Sequence, residues 1–266
     1  MAPAETAILM ILLSPAKKLD YLSPFTSINH TQARCLVDSQ VLVEQLKTYA
    51  PQQLAELMHL SDELAQLNFE RYAQWQLACN LDHAKPAMFA FAGDVYAGLA
   101  AVDLDLPTLN YAQEHLRILS GLYGLLRPFD LIQPYRLEMG TALKTTRGKN
   151  LYEFWGKKLT KILDADLQAL GEASLLNLAS HEYAKAIQVK ALNNLVISPI
   201  FKDWSKGQYR VISFFAKRAR GLMARFVLEQ RITRLEDILE FADEAYVYNP
   251  SLTQHPHQPV FTRKAF

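Results

Sequence analysis

The stretch Ala7-Ile8-Leu9-Met10-Ile11-Leu12-Leu13, followed at once by Ser14-Pro15-Ala16-Lys17-Lys18, decides the fold. Seven consecutive apolar residues suit a signal-peptide core, a short membrane segment or a strand buried on both faces. The first reading fails on the flanks: Glu5 precedes the run where a positive region should stand, and no small-residue cleavage site follows. The second fails on length, since a span needs about 20 residues. A buried strand that opens the fold remains, with Met1–Ala7 as a loose extension and the Ser14-Pro15 break starting a loop. The chain is read as having no membrane association.

Outward from that strand, helical periodicity covers Thr31–Ala50, and Pro51 fits the first position of another helix. Short helical pieces follow at 52–59, 62–67 and 69–79. Ala87–Phe91 reads as a second buried strand, 94–100 and 109–126 as helices, and 151–170 as an amphipathic helix closed by Gly171. Strands are expected at 174–178, 194–201, 209–213 and 245–248, a short helix at 233–240, and an edge strand at 260–262. Strands and helices mix without strict alternation. No Gly-x-Gly-x-x-Gly or Walker-type loop follows a strand, which disfavours a doubly wound nucleotide fold. The expected class is α/β (α+β): one domain over 8–266, with a mixed sheet core wrapped by helices.

Composition narrows the function. The 266 residues carry 28 Lys and Arg against 27 Asp and Glu, a net charge of +1. Half are hydrophobic, enough for a large core. Cys35 and Cys79 fall in helix-like segments and make no disulfide framework, which fits a reduced, cytosolic setting. No His or Cys spacing marks a metal site; His255 and His257 sit in a proline-rich tail. No metal and no cofactor are expected.

Charge is nevertheless unevenly placed. From Thr31 to Asp82 seven acidic residues face three basic ones, whereas Arg210–Leu228 holds five basic residues and none acidic. Set on a helix, Phe215, Ala219, Leu222, Met223 and Phe226 share one arc, and Lys217, Arg218, Arg220 and Arg225 the opposite one. Ser213 stands at the N-cap position, and Gly221 inside the pattern suggests a close approach to the backbone. A face of one sign suits an extended anion. The loops add Arg117, Arg127 and Arg136 among glycines and tyrosines, as bidentate donors for phosphate or carboxylate; Arg136 paired internally with Glu138 or Asp130 is the alternative there. Ser180-His181-Glu182 suggests a triad, but adjacent residues rarely converge and no nucleophile elbow is present. Lys17 and Asp94, each after a strand, are acid/base candidates for an enzyme acting on a nucleotide, nucleic acid or phosphorylated small molecule; a Lys17–Asp94 ion pair that only fixes the loops is the alternative.

These segments carry a family resemblance. Ser14-Pro-Ala-Lys17, Gly93-Asp-Val-Tyr96, Leu119-Ser-Gly-Leu-Tyr-Gly124, Arg127-Pro128, Pro134-Tyr-Arg-Leu-Glu-Met-Gly140, Asn177-Leu-Ala-Ser180 and Ala219-Arg-Gly-Leu-Met223 resemble the YaaA family of bacterial peroxide-stress resistance proteins, from about Ile8 to the last strand. The resemblance implies a cytosolic protein that helps limit iron-driven oxidative damage. It implies a helix-wrapped β core with a positively charged cleft and a helix-hairpin-helix-like element, and binding of double-stranded DNA without marked sequence preference. On that basis Lys17, Arg117, Arg136, Lys217, Arg218, Arg220 and Arg225 are the expected DNA- or anion-binding residues. The hairpin maps to 51–75, where the turns lack glycine and the first carries Asp62 and Glu63, so a weak phosphate contact is expected there.

Overall fold

The computed structural model describes residues 9–171 and 173–264; the extension read for 1–7 lies outside them. The opening run forms β1 (Leu9–Leu13), and none of its five residues is more than 1% exposed. It is the middle strand of five. On one side lie β6 (Leu116–Ser120) and β7 (Gly124–Leu126), on the other β9 (Ser174–Asn177) and β10 (Val196–Ile197). β6, β9 and β10 run parallel in this sheet, and only the β6–β7 pair is antiparallel. A parallel strand covered on both faces needs an unbroken apolar run, which is what β1 has.

Three smaller sheets surround it. One orders β12 (Gln208–Arg210), β11 (Ile200–Ser205), β14 (Val260–Arg263) and β13 (Val247–Tyr248). Another joins β3 (Thr31–Gln32), β8 (Asp130–Ile132) and β4 (Lys85–Pro86), and a third pairs β2 (Lys18–Leu19) with β5 (Phe91–Ala92). The helices are α1 (Leu36–Leu46), α2 (Pro51–Met58), α3 (Asp62–Gln74), α4 (Ala87–Ala90), α5 (Asp94–Leu99), α6 (Leu106–His115), α7 (Leu151–Trp155), α8 (Lys158–Ala169), α9 (His181–Ala184), α10 (Ser213–Gln230) and α11 (Leu235–Ile238). The result is a mixed α/β fold in which most buried apolar side chains join one large core, with Cys79, Ala84 and Leu131 in a small separate cluster.

Several boundaries follow local chemistry. Pro51 opens α2, and the side chains of Ser61, Asp105 and Asn150 accept backbone N–H groups at the starts of α3, α6 and α7. Gly156, at φ 50°, breaks the helix expected over 151–170 into α7 and α8. Other expectations need correction. Ala87–Phe91 is mostly the single turn α4, since a short buried apolar run does not by itself distinguish strand from helix. The helix expected over 109–126 stops at His115 and gives way to β6 and β7. Thr31–Gln32 is strand rather than helix, and β14 lies inside its sheet rather than at its edge. Ser213 is the first residue of α10; the N-cap is Ile212, which has no capping side chain. In the segment read as hairpin-like, α2 ends at His59 (φ 52°), and the second candidate turn, Ala65–Asn68, lies inside α3.

Candidate anion-binding sites

The chain leaves β1 and later returns to place β6 on one flank and β9 on the other, so the loops after β1 and β9 diverge. Such a switch point at the carboxyl ends of parallel strands makes a crevice. Here it holds a pocket of about 460 Å³. Its floor is tied across the chain: the Ser180 backbone N–H donates to Ser14 Oγ at 2.8 Å, and the Tyr96 hydroxyl donates to the Ser14 carbonyl at 3.0 Å. The β2–β5 pair sets Lys18 against Ala92 and brings Asp94, at the start of α5, onto the wall.

The far wall is α10. It crosses α5 with backbone against backbone: a Cβ at Gly221 would lie 1.8 Å from the Val95 carbonyl oxygen, and one at Gly98 2.3 Å from that of Arg218. The close approach suggested by Gly221 is therefore to α5. This crossing presents Lys217 and Arg220 to the pocket. Neither forms an ion pair among the described residues. Arg220 is half-buried, and burial, with no acid to oppose it, pushes its pKa below the usual arginine value.

Arg136 and Glu138 form the near wall. The Tyr72 hydroxyl donates to the Arg136 carbonyl and fixes that strand of loop. Glu138 sits between two cations, Lys17 Nζ at 2.6 Å and Arg136 Nη2 at 3.0 Å. Lys17 thus pairs with Glu138 and not with Asp94. Glu182 accepts the Gly140 N–H at 2.9 Å. In all, Lys17, Lys18, Arg136, Lys217 and Arg220 face Asp94, Glu138 and Glu182, five cations to three carboxylates. No triad forms at 180–182: Ser180 bonds Ser14, Glu182 bonds Gly140, and His181 is exposed.

Three expected residues stand elsewhere. Arg117 is buried at 6% exposure, with Nε 2.6 Å from Asp166 Oδ2 and Nη1 donating to the carbonyls of Gln113, Glu114 and Leu116. Burial lowers its pKa against the pull of Asp166, and its donors serve the fold rather than the pocket. Arg218 is paired with Glu244 at 2.6 Å, which raises its pKa. Arg225 is paired with Glu229 at 2.9 Å and with Asp103 at 3.8 Å. The acids that neutralise α10 lie mostly on other elements, so the one-sign stretch did not produce a one-sign face.

A second basic surface was not singled out from the sequence. Arg34, Arg147, Lys157, Lys158 and Lys161, with Asp38 as the one carboxylate in the lining, surround an open groove of about 850 Å³ beside α7 and α8. Asp38 holds Arg147 and Lys158, each at 2.6 Å. Asp166 takes Arg34 through two bonds of 2.7 and 2.9 Å. Lys157 and Lys161 are exposed, and among the described residues neither forms an ion pair. The signal was available: residues 144–161 hold six basic side chains and one acidic, Glu153. It was masked because the run spans a loop and two helices and shows no single period. Among the described residues no group of three or more His, Cys, Asp or Glu could hold a metal ion, and no helix is long and apolar enough to cross a membrane.

Fold and sites together define a mixed α/β protein with a crevice at its central switch point and a separate basic groove. Comparison with known proteins gives the family. The family model described as "Peroxide stress protein YaaA" matches residues 9–252. A UPF0246 protein of Tolumonas auensis is 53% identical over 255 residues, 96% of this chain and 98% of its own. A UPF0246 protein of Saccharophagus degradans is 48% identical over 256 residues, covering 96% and 100%. The chain belongs to the YaaA family of peroxide-stress proteins.

Proposed function

We propose that this peroxide-stress protein limits oxidative damage from the cytosol by binding double-stranded DNA without sequence preference, and that the duplex backbone rests in the open groove beside α7 and α8. The observation that carries this is the groove's charge: five cations to one carboxylate in its lining, with Lys157 and Lys161 exposed and, among the described residues, unpaired. A duplex needs a surface it can lie along, and its phosphates reward cations that give up no existing partner. Of the residues expected from the sequence, Arg117, Arg218 and Arg225 are already committed to acids, and Lys17, Arg136, Lys217 and Arg220 line a pocket of about 460 Å³, the volume of a small-ligand site.

The test is fluorescence anisotropy on a labelled 20-base-pair duplex of arbitrary sequence across a salt series. Lys157→Ala/Lys161→Ala lowers affinity equally on unrelated sequences and reduces the salt slope by about two. Arg218→Gln/Arg225→Gln binds like the parent. A Lys157→Ala/Lys161→Ala protein with parental affinity and slope removes the groove from the reading.

An enzymatic alternative uses Lys17 and Asp94 as acid and base on a phosphorylated substrate. Asp94 on the pocket wall favours it; the 2.6 Å pairing of Lys17 with Glu138 weighs against a Lys17–Asp94 couple.

A further inference from the structure

The pocket asks for a ligand of its own. Arg220 is half-buried there with no acidic partner among the described residues, and Lys217, one turn earlier on α10, faces the same space. A guanidinium taken partly out of water without an anion is costly, and among the described residues no carboxylate pairs with Arg220. The carboxylates present are engaged or lie apart: Glu138 is saturated by Lys17 and Arg136, and Glu182 holds the Gly140 N–H. Among the described residues Asp94, which lines the pocket, forms no ion pair and is an acceptor without a donor. Between these charges the wall is apolar and aromatic, with Val95, Tyr135, Leu137 and Tyr183. The volume, about 460 Å³, falls in the range of small-ligand sites, roughly 300–1,000 Å³.

We propose that this pocket is a binding site for a nucleoside monophosphate, with the phosphate on Arg220 and Lys217, a hydroxyl or amino donor on Asp94, and the ring against Tyr135 and Tyr183. The same chemistry has two sources, a free nucleotide or the 5′-phosphorylated terminal residue of a strand. The inference is independent of the groove: it holds whether or not a duplex binds beside α8.

Titration calorimetry on the full chain tests it with the four ribonucleoside 5′-monophosphates, the matching nucleosides, inorganic phosphate and a 5′-phosphorylated single-stranded tetranucleotide. At least one monophosphate binds, and its nucleoside and inorganic phosphate each bind at least tenfold more weakly. Arg220→Gln weakens the monophosphate at least tenfold, Arg220→Lys retains most of the affinity, and Arg225→Gln is unchanged. Asp94→Asn narrows the gap between the monophosphate and inorganic phosphate. Tighter binding of the tetranucleotide than of the monophosphate identifies a strand end as the source; the reverse identifies the free nucleotide. Absence of binding by all four monophosphates, or an Arg220→Gln protein with native circular dichroism and parental affinity, overturns the proposal. Lys157→Ala/Lys161→Ala must leave monophosphate affinity unchanged, which separates failure here from failure of the groove.

Discussion

The pocket and the groove are both basic, and they present their charge in opposite ways. The pocket sets three carboxylates among five cations and keeps Arg136 and Arg220 half-buried in its walls. The groove spreads its cations over an open surface, where two exposed lysines have no acidic partner among the described residues. Arrays of similar composition therefore select different anions: a small one that replaces water in the pocket, and an extended one that displaces counterions along the groove. Counting arginines says little about either. What decides is whether an acid from a distant part of the chain has already claimed the guanidinium.

The largest test of that distinction is Asp166→Ala. It leaves Arg117 buried without its acid and releases Arg34, so unfolding by urea should show a loss of about 3–5 kcal/mol. A loss below about 1 kcal/mol would show that Arg117 is not held as a structural charge. Next is Gly221→Ala, whose methyl group meets the Val95 carbonyl and must part α10 from α5. Stability should fall by about 3 kcal/mol, and the pocket should lose its ligand while the folded fraction keeps parental duplex affinity. Loss of duplex binding there would tie the two sites together.

A smaller effect is expected in acid. Burial would raise the pKa of Asp166, but bonds from Arg34 and Arg117 bring it below the ordinary carboxylate value; for Asp38, bonds from Lys158 and Arg147 do the same against burial. Both groups stabilise the fold above the unfolded-state pKa of about 3.9, and that contribution is lost as pH falls through their depressed folded values. Thermal melts from pH 5 down to pH 2.5 should drop less steeply for Asp166→Asn than for the parent, on a lower baseline. Smallest is Arg225→Gln, which removes a surface pair and should change stability by less than about 1 kcal/mol and neither binding activity.

The parts of the fold legible in the sequence were those with one dominant local signal. The apolar run at 9–13 gave β1, Pro51 the start of α2, and Gly171 (φ 79°) the end of α8. β6 was lost because Leu116–Ser120 follows α6 without a turn residue, and its strand state comes from pairing with β1, about 105 residues away in sequence. The site followed the same rule. Lys217 and Arg220 were found through helical periodicity, as was Gly221 through its cost. Glu244 beside Arg218 and Asp166 beside Arg117 could not be found that way, because tertiary contacts bring them together.

The central position of β1 has a consequence for how the protein is made. It leaves the ribosome before both of its neighbours, Leu116–Ile118 and Ser174–Asn177. The Ser14–Ser180 tie that closes the pocket floor joins residues 166 apart. During synthesis five greasy residues wait about 105 residues for their first partner strand and about 165 for the second. Nascent chains should be slow to mature and prone to stick to one another in that interval, and chains halted before Asn177 should be chaperone clients rather than partial products with half a function.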